Sequence, residues 1–159
     1  MSVMHRFTVR GVLLVGALTA LASGPAQAFP IIYSGHVYNG GSTRCLDSGV
    51  PANAQLWTCS TATYQQWTFN ATTGTIRGNS PSGCLDDGAG TNGTGVPLVT
   101  CTGATSQKWS YDSSFRLVNQ ASGRCLDADL GTIGANGTKV QVWDCGSGTN
   151  QQWYFEFEP

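Results

Sequence analysis

The sequence predicts an all-β fold made of three copies of one unit, and three observations carry that prediction. The chain is polar and turn-rich, with 21 glycines and only 11% charged residues among its 159. Such a composition favours many short strands over helices. Two motifs each occur three times: Cys45-Leu46-Asp47, Cys84-Leu85-Asp86 and Cys125-Leu126-Asp127, then Gln65-Gln66-Trp67, Gln107-Lys108-Trp109 and Gln151-Gln152-Trp153. Their spacings are near-constant, 39 and 41 residues for the first motif and 42 and 44 for the second. A fixed period of about 40 residues marks a repeat architecture.

The first 28 residues are expected to lie outside that fold. Arg6 and Arg10 precede an apolar run from Gly11 to Ala22, and Ala26-Gln27-Ala28 follows. This is the three-part layout of a secretory signal peptide. The run falls short of the roughly 20 residues that a membrane span requires. Residues 29–159 then form one domain, with repeats at approximately 31–74, 75–113 and 114–159, in a secreted, extracellular protein.

After residue 28 the chain carries six Lys or Arg against nine Asp or Glu, a net charge of −3. That balance gives no footprint for nucleic acid or anionic lipid. Only His36 remains as a histidine, and no Cys-x-x-Cys pair exists, so neither a zinc site nor any other metal or cofactor is expected. A glycosidase needs two convergent carboxylates, and the acids here follow the threefold pattern or stand singly. Catalysis is therefore not expected.

Six cysteines in an exported chain predict disulfides. Each repeat holds two, so the simplest pairing is Cys45 with Cys59, Cys84 with Cys101 and Cys125 with Cys145. Fifteen pairings are formally possible. Loops of this length are worth about 3 kcal/mol each in chain entropy.

Three units that each combine Cys-Leu-Asp with Gln-x-Trp resemble the ricin B-type lectin family, which includes family 13 of the carbohydrate-binding modules. The resemblance covers Tyr33 to the C-terminus. It implies a β-trefoil with pseudo-threefold symmetry, twelve strands, and up to three sugar sites. It also implies a carbohydrate partner, and a separately encoded enzyme or toxin chain as a further one. A trefoil that binds protein, such as a secreted protease inhibitor, is the alternative.

Strand periodicity places the candidate residues. In Lys139 to Cys145, Val140 and Val142 share one face, and Gln141, Trp143 and Cys145 share the other. The aliphatic pair is expected to point inward. In the first unit Ala54 and Leu56 face in, while Gln55, Trp57 and Cys59 face out. The second keeps Val96 and Leu98 inside but has Pro97 and Val99 outside. If each disulfide joins directly opposed residues, Asp127 lies opposite Trp143, Asp47 opposite Trp57 and Asp86 opposite Val99.

Trp67, Trp109 and Trp153 recur in every unit, as core packing of a symmetric fold requires. Trp57 and Trp143 have no counterpart in the second unit, where Val99 stands, and are read as platforms for sugar stacking. The resemblance assigns Asp127, Gln141, Asn150 and Gln151 to hydroxyl recognition in the third unit. In the first it assigns Asp47, Gln55 and Gln65, with Tyr64 in the place of the amide. The glutamines recur in all units, so part of their role is structural. The loop from Leu130 to Asn136 has no full counterpart in the first unit and is expected to wall the third site. The third site is expected to be the strongest, the first weaker and the second nearly silent. Asn70-Ala-Thr72, Asn92-Gly-Thr94 and Asn136-Gly-Thr138 fit the glycosylation pattern.

Overall fold

A computed structural model of the chain describes residues 31–49 and 53–156. The leader read from residues 1–28 lies outside them. The chain is a β-trefoil. The first unit contains β1 (Ile32–Gly35), β2 (Val37–Asn39), β3 (Arg44–Asp47), β4 (Gln55–Thr58) and β5 (Trp67–Asn70). The second contains β6 (Thr75–Asn79), β7 (Ser82–Leu85), β8 (Thr94–Gly95), β9 (Leu98–Val99) and β10 (Trp109–Tyr111). The third contains β11 (Leu117–Asn119), β12 (Cys125–Ala128), β13 (Thr138–Trp143) and β14 (Trp153–Phe155).

These 14 strands are the expected twelve with two of them interrupted. The first strand of the first unit breaks at His36. The third strand of the second unit breaks between β8 and β9, where Pro97 has no N–H to give to a ladder. Antiparallel pairing is threefold. The last strand of each unit pairs with the first of the next, as β5 with β6, β10 with β11 and β14 with β2. Within each unit the two middle strands form a hairpin, as β3 with β4, β7 with β9 and β12 with β13.

One residue from each unit meets at the centre. The Ala54 N–H donates to the Val96 carbonyl at 2.8 Å, Val96 to Val140 at 3.3 Å, and Val140 back to Ala54 at 3.2 Å. All three are at most 1% exposed. Leu56 and Val142 are buried beside them, and Leu98 packs against the core in part.

The two repeated motifs are locked together by the three recurrent tryptophans. Each indole is fully buried and donates its N–H to the leucine carbonyl of its unit's Cys-Leu-Asp: Trp67 to Leu46 at 2.8 Å, Trp109 to Leu85 at 3.0 Å and Trp153 to Leu126 at 2.9 Å. A buried indole needs such a partner. The requirement falls on all three units alike, which explains why both motifs recur.

The disulfides are Cys45–Cys59, Cys84–Cys101 and Cys125–Cys145. They run diagonally, and this corrects the expected register. Cys125 lies opposite Trp143 while bonded to Cys145, two residues further on; Cys45 likewise lies opposite Trp57, and Cys84 opposite Val99. Asp127 therefore stands opposite Gln141, and Asp47 opposite Gln55, rather than opposite the tryptophans. A shift of two preserves the face of every side chain, so the grouping survives while the opposed pairs change.

Candidate functional site

The third unit gathers its candidate residues in one place. β12 supplies Asp127, β13 supplies Gln141 and Trp143, and a single 3-10 turn over Thr149–Gln151 supplies Asn150 and Gln151. A cavity of about 460 Å³ lies between them, walled also by Asp129 and Leu130 of the long loop and by Asp144, Gly146 and Gly148.

Asp127 is the centre of this arrangement and only 4% exposed. Its Oδ1 accepts from Gln141 Nε2 at 3.1 Å; its Oδ2 accepts from Asn150 Nδ2 and Gln151 Nε2, both at 2.8 Å. A carboxylate removed from water demands donors of this kind. Burial still pushes its pKa above the ordinary value, outweighing the amide donors that pull it down. With their N–H groups committed to the carboxylate, the amide oxygens of Gln141 and Asn150 accept no bond from a described residue. Trp143 stands by the same cavity and is 44% exposed. An apolar ring beside a cluster of fixed acceptors is suited to a ligand with an apolar C–H face and an edge of hydroxyls.

The first unit repeats part of this. Asp47 is buried; its Oδ2 accepts from Gln65 Nε2 at 2.8 Å and its Oδ1 from Gln55 Nε2 at 3.4 Å. The amide that Asn150 provides has no equivalent, because Tyr64 occupies that position and is 41% exposed. Asp47 Oδ1 takes the backbone N–H of Gly49 at 2.7 Å instead. Trp57 is as open as Trp143.

The second unit does not assemble the group. Asp86 accepts from Gly88 N at 2.9 Å and from Ser106 Oγ at 3.0 Å, a local turn arrangement. Pro97 and Val99 provide neither a side-chain amide nor an aromatic ring.

The structural share of the glutamines is visible in all units. Gln65, Gln107 and Gln151 each accept from a backbone N–H (of Ser60, Thr102 and Gly146) and donate to a carbonyl (of Thr58, Thr100 and Asp144). Each glutamine thus fixes the chain around its unit's second cysteine. Only in the first and third units does the same Nε2 also reach the aspartate.

Sequence reasoning missed a contribution from outside each unit. Asn92 Oδ1, of the second unit, accepts from the third-unit Asp144 N–H at 2.8 Å and from Arg124 Nε at 2.7 Å, and Gly93 N–H donates to Val142 O at 2.9 Å. Asn136 and Gly137, of the third unit, repeat this on the first: Asn136 Oδ1 accepts from Thr58 N at 2.8 Å, and Gly137 N–H donates to Leu56 O at 2.9 Å. Both glycines take a positive φ, +83° and +85°, and a Cβ there would come within 3.5 Å of Trp143 and 3.7 Å of Trp57. Each indole platform is therefore backed by the Asn-Gly turn of another unit. The signal was in the sequence as the paired Asn-Gly-Thr tripeptides, read there as glycosylation patterns; the Asn92 and Asn136 side chains are instead engaged in hydrogen bonds. Asn70 likewise accepts from Thr72 N and Thr73 N.

Among the described residues no group of His, Cys, Asp or Glu could hold a metal ion, and no helix is long and apolar enough to cross a membrane.

A family model described as the ricin-type beta-trefoil lectin domain matches residues 33–156. No curated protein matches the sequence significantly. Among solved structures, the hemolytic lectin CEL-III is similar over 82% of this chain at 25% identity and a TM-score of 0.68. The designed three-fold symmetric protein ThreeFoil is similar over 77% at 23% identity and a TM-score of 0.67. A non-toxic type II RIP homologue from Momordica charantia, solved with α-methyl-D-galactoside, is similar over 78% at 23% identity and a TM-score of 0.65. The match spans 31% of the CEL-III chain, 95% of ThreeFoil and 47% of the Momordica protein.

Proposed function

The chain belongs to the ricin-type β-trefoil lectin domain family, and from that premise we propose that it is a secreted, non-catalytic carbohydrate-binding protein. It recognises galactose- or xylose-type glycans and polysaccharides through shallow sites on the third and first units. The observation that carries this reading is the Asp127 carboxylate, buried and held by the three amides of Gln141, Asn150 and Gln151 on the cavity that Trp143 borders. The C–H face of a pyranose stacks on the indole. Adjacent hydroxyls donate to the carboxylate, and further hydroxyls donate to the free amide oxygens. Asp47, Gln55, Trp57, Tyr64 and Gln65 offer a reduced version.

A single open site with one stacking ring binds a monosaccharide at about 1 mM, or about −4 kcal/mol. Two sites on one polymer strengthen binding by about 10²-fold where their spacing allows both to engage. The partner of such a module is the glycan, together with a separately encoded enzyme or toxin chain that it would deliver.

The test is a glycan array probed with the exported protein, which is expected to begin at Phe29. Signal on galactose- or xylose-terminated glycans, unchanged by EDTA and weakened most in Trp143→Ala, supports the reading. An array without signal, or binding to protein targets alone, overturns it.

A further inference from the structure

We propose that the third-unit site selects glycans by charge, preferring sugars with a free ammonium group to neutral ones and rejecting uronic acids and sulfated sugars. This rests on the reading of that cavity as a sugar site and adds the class of sugar it takes.

Three carboxylates, Asp127, Asp129 and Asp144, line the cavity, and among the described residues no Lys, Arg or His lines it; Arg116, paired with Asp112, donates from outside the lining to the Gly146 carbonyl at 3.0 Å. Asp127 is buried and held by its three amides. The other two are not buried in the same way. The Asp144 side chain is 70% exposed, and its Oδ2 accepts from Asn92 Nδ2 at 2.8 Å. The cation near it, Arg124, lies 3.4 Å from Oδ1, outside the cavity lining, and is also bound to Asn92 Oδ1 and the Gly90 carbonyl. Asp129 has no described cation partner; it accepts only from its own loop, from Gly131 N at 3.3 Å and Thr132 Oγ1 at 3.2 Å. The three do not converge as metal ligands among the described residues. Asp129 thus brings a carboxylate without a described cation partner to the cavity wall, and Asp144 one that Arg124 offsets in part.

The fold does not require these acids. The positions of Asp129 and Asp144 are taken by Gly49 and Thr58 in the first unit and by Gly88 and Thr100 in the second. The extra carboxylates occur only in the unit where the platform and all three amides are complete. An ammonium in place of a hydroxyl carries three donors and a positive charge, and makes charge-assisted bonds to such groups. One unit charge at about 4 Å in water is worth about fivefold in affinity. An anionic sugar meets the same factor in reverse, and salt screens both effects.

The indole N–H signals of Trp143 and Trp57 report the two sites separately by NMR. The disulfide-bonded protein is titrated with galactose, galactosamine and galacturonic acid at about pH 6, below the usual range of an α-amino group. At Trp143, galactosamine is expected to bind about fivefold tighter than galactose and galacturonic acid several-fold weaker. The ratio falls towards one in Asp129→Asn with Asp144→Asn and in high salt, with an intermediate value in Asp129→Asn alone. At Trp57 the three sugars differ little. Equal affinities at Trp143, or a preference that persists in the double variant, overturn the proposal. No response of Trp143 to any of the three, or to xylose, overturns the reading of this cavity as a sugar site, and this proposal with it.

Discussion

Asn92 of the second unit and Asp144 of the third are joined twice: the Asp144 N–H donates to Asn92 Oδ1 at 2.8 Å, and Asn92 Nδ2 donates to the Asp144 carboxylate at 2.8 Å. The unit that lacks an outer-face tryptophan of its own thus braces its neighbour's. Asn92→Ala is expected to remove these bonds, each worth about 0.5–1.5 kcal/mol. Sugar binding at Trp143 should weaken several-fold while the Trp57 site keeps its affinity. Asn136→Ala should do the reverse. Site-resolved NMR titration checks both, and equal losses at the two sites in either variant would refute the pairing of units.

The outer-face aromatics should separate binding from stability. Trp143, Trp57 and Val99 are 44%, 40% and 38% exposed. Their truncation should leave melting temperatures close to that of the parent. Binding to soluble xylan or galactosides should fall most for Trp143→Ala, less for Trp57→Ala and hardly at all for Val99→Ala. A Trp143→Ala protein that binds like the parent would remove the third unit from the site.

Trp153→Ala should behave in the opposite way. The indole is fully buried and holds the Leu126 carbonyl. Its loss leaves a cavity and an unpaired acceptor, and the expected cost is about 3–5 kcal/mol. Chemical denaturation of the oxidised protein measures it. A cost near zero would contradict the core placement of the recurrent tryptophans.

Acidity should act on binding and stability with opposite signs. Burial raises the Asp127 carboxyl above its ordinary value. Between the unfolded and the raised folded value, the folded state holds the extra proton, so this group's contribution to stability falls as pH rises through that window. Hydroxyl donors need the ionised carboxylate, so sugar binding is lost as pH falls through the folded value. The Trp143 response should therefore fade on acidification, starting above the ordinary carboxylate range, before the protein unfolds. Parallel titrations and thermal melts test this, and a loss of binding that only tracks unfolding would count against it.

Much of this architecture could be read from the sequence because symmetry repeats it. The recurrent tryptophans, the inward aliphatic residues and the cysteine pairing each occur three times, and chance does not repeat a spacing three times. What stayed hidden is what symmetry does not carry. The diagonal run of the disulfides moved Asp127 from Trp143 to Gln141, since a two-residue shift leaves the hydrophobic pattern unchanged. Asp129 and Asp144 occur in one unit only, so a comparison of repeats passes over them. The bracing by Asn92 and Asn136 crosses from one unit to another, whereas the motifs point only within a unit.

The ring of bonds through Ala54, Val96 and Val140 bears on how the protein can come apart. A ring of three has no useful two-thirds. Without one unit, a buried N–H and a buried carbonyl lose their partners, at about 1–3 kcal/mol for each unsatisfied group. Loss of the first unit would also leave Trp153 without the strand that β14 pairs with. Unfolding should accordingly be a single cooperative transition. A fragment spanning the second and third units would carry every residue that lines the third cavity, and the Asn92 turn as well, yet it would lack the closed centre that holds them in place.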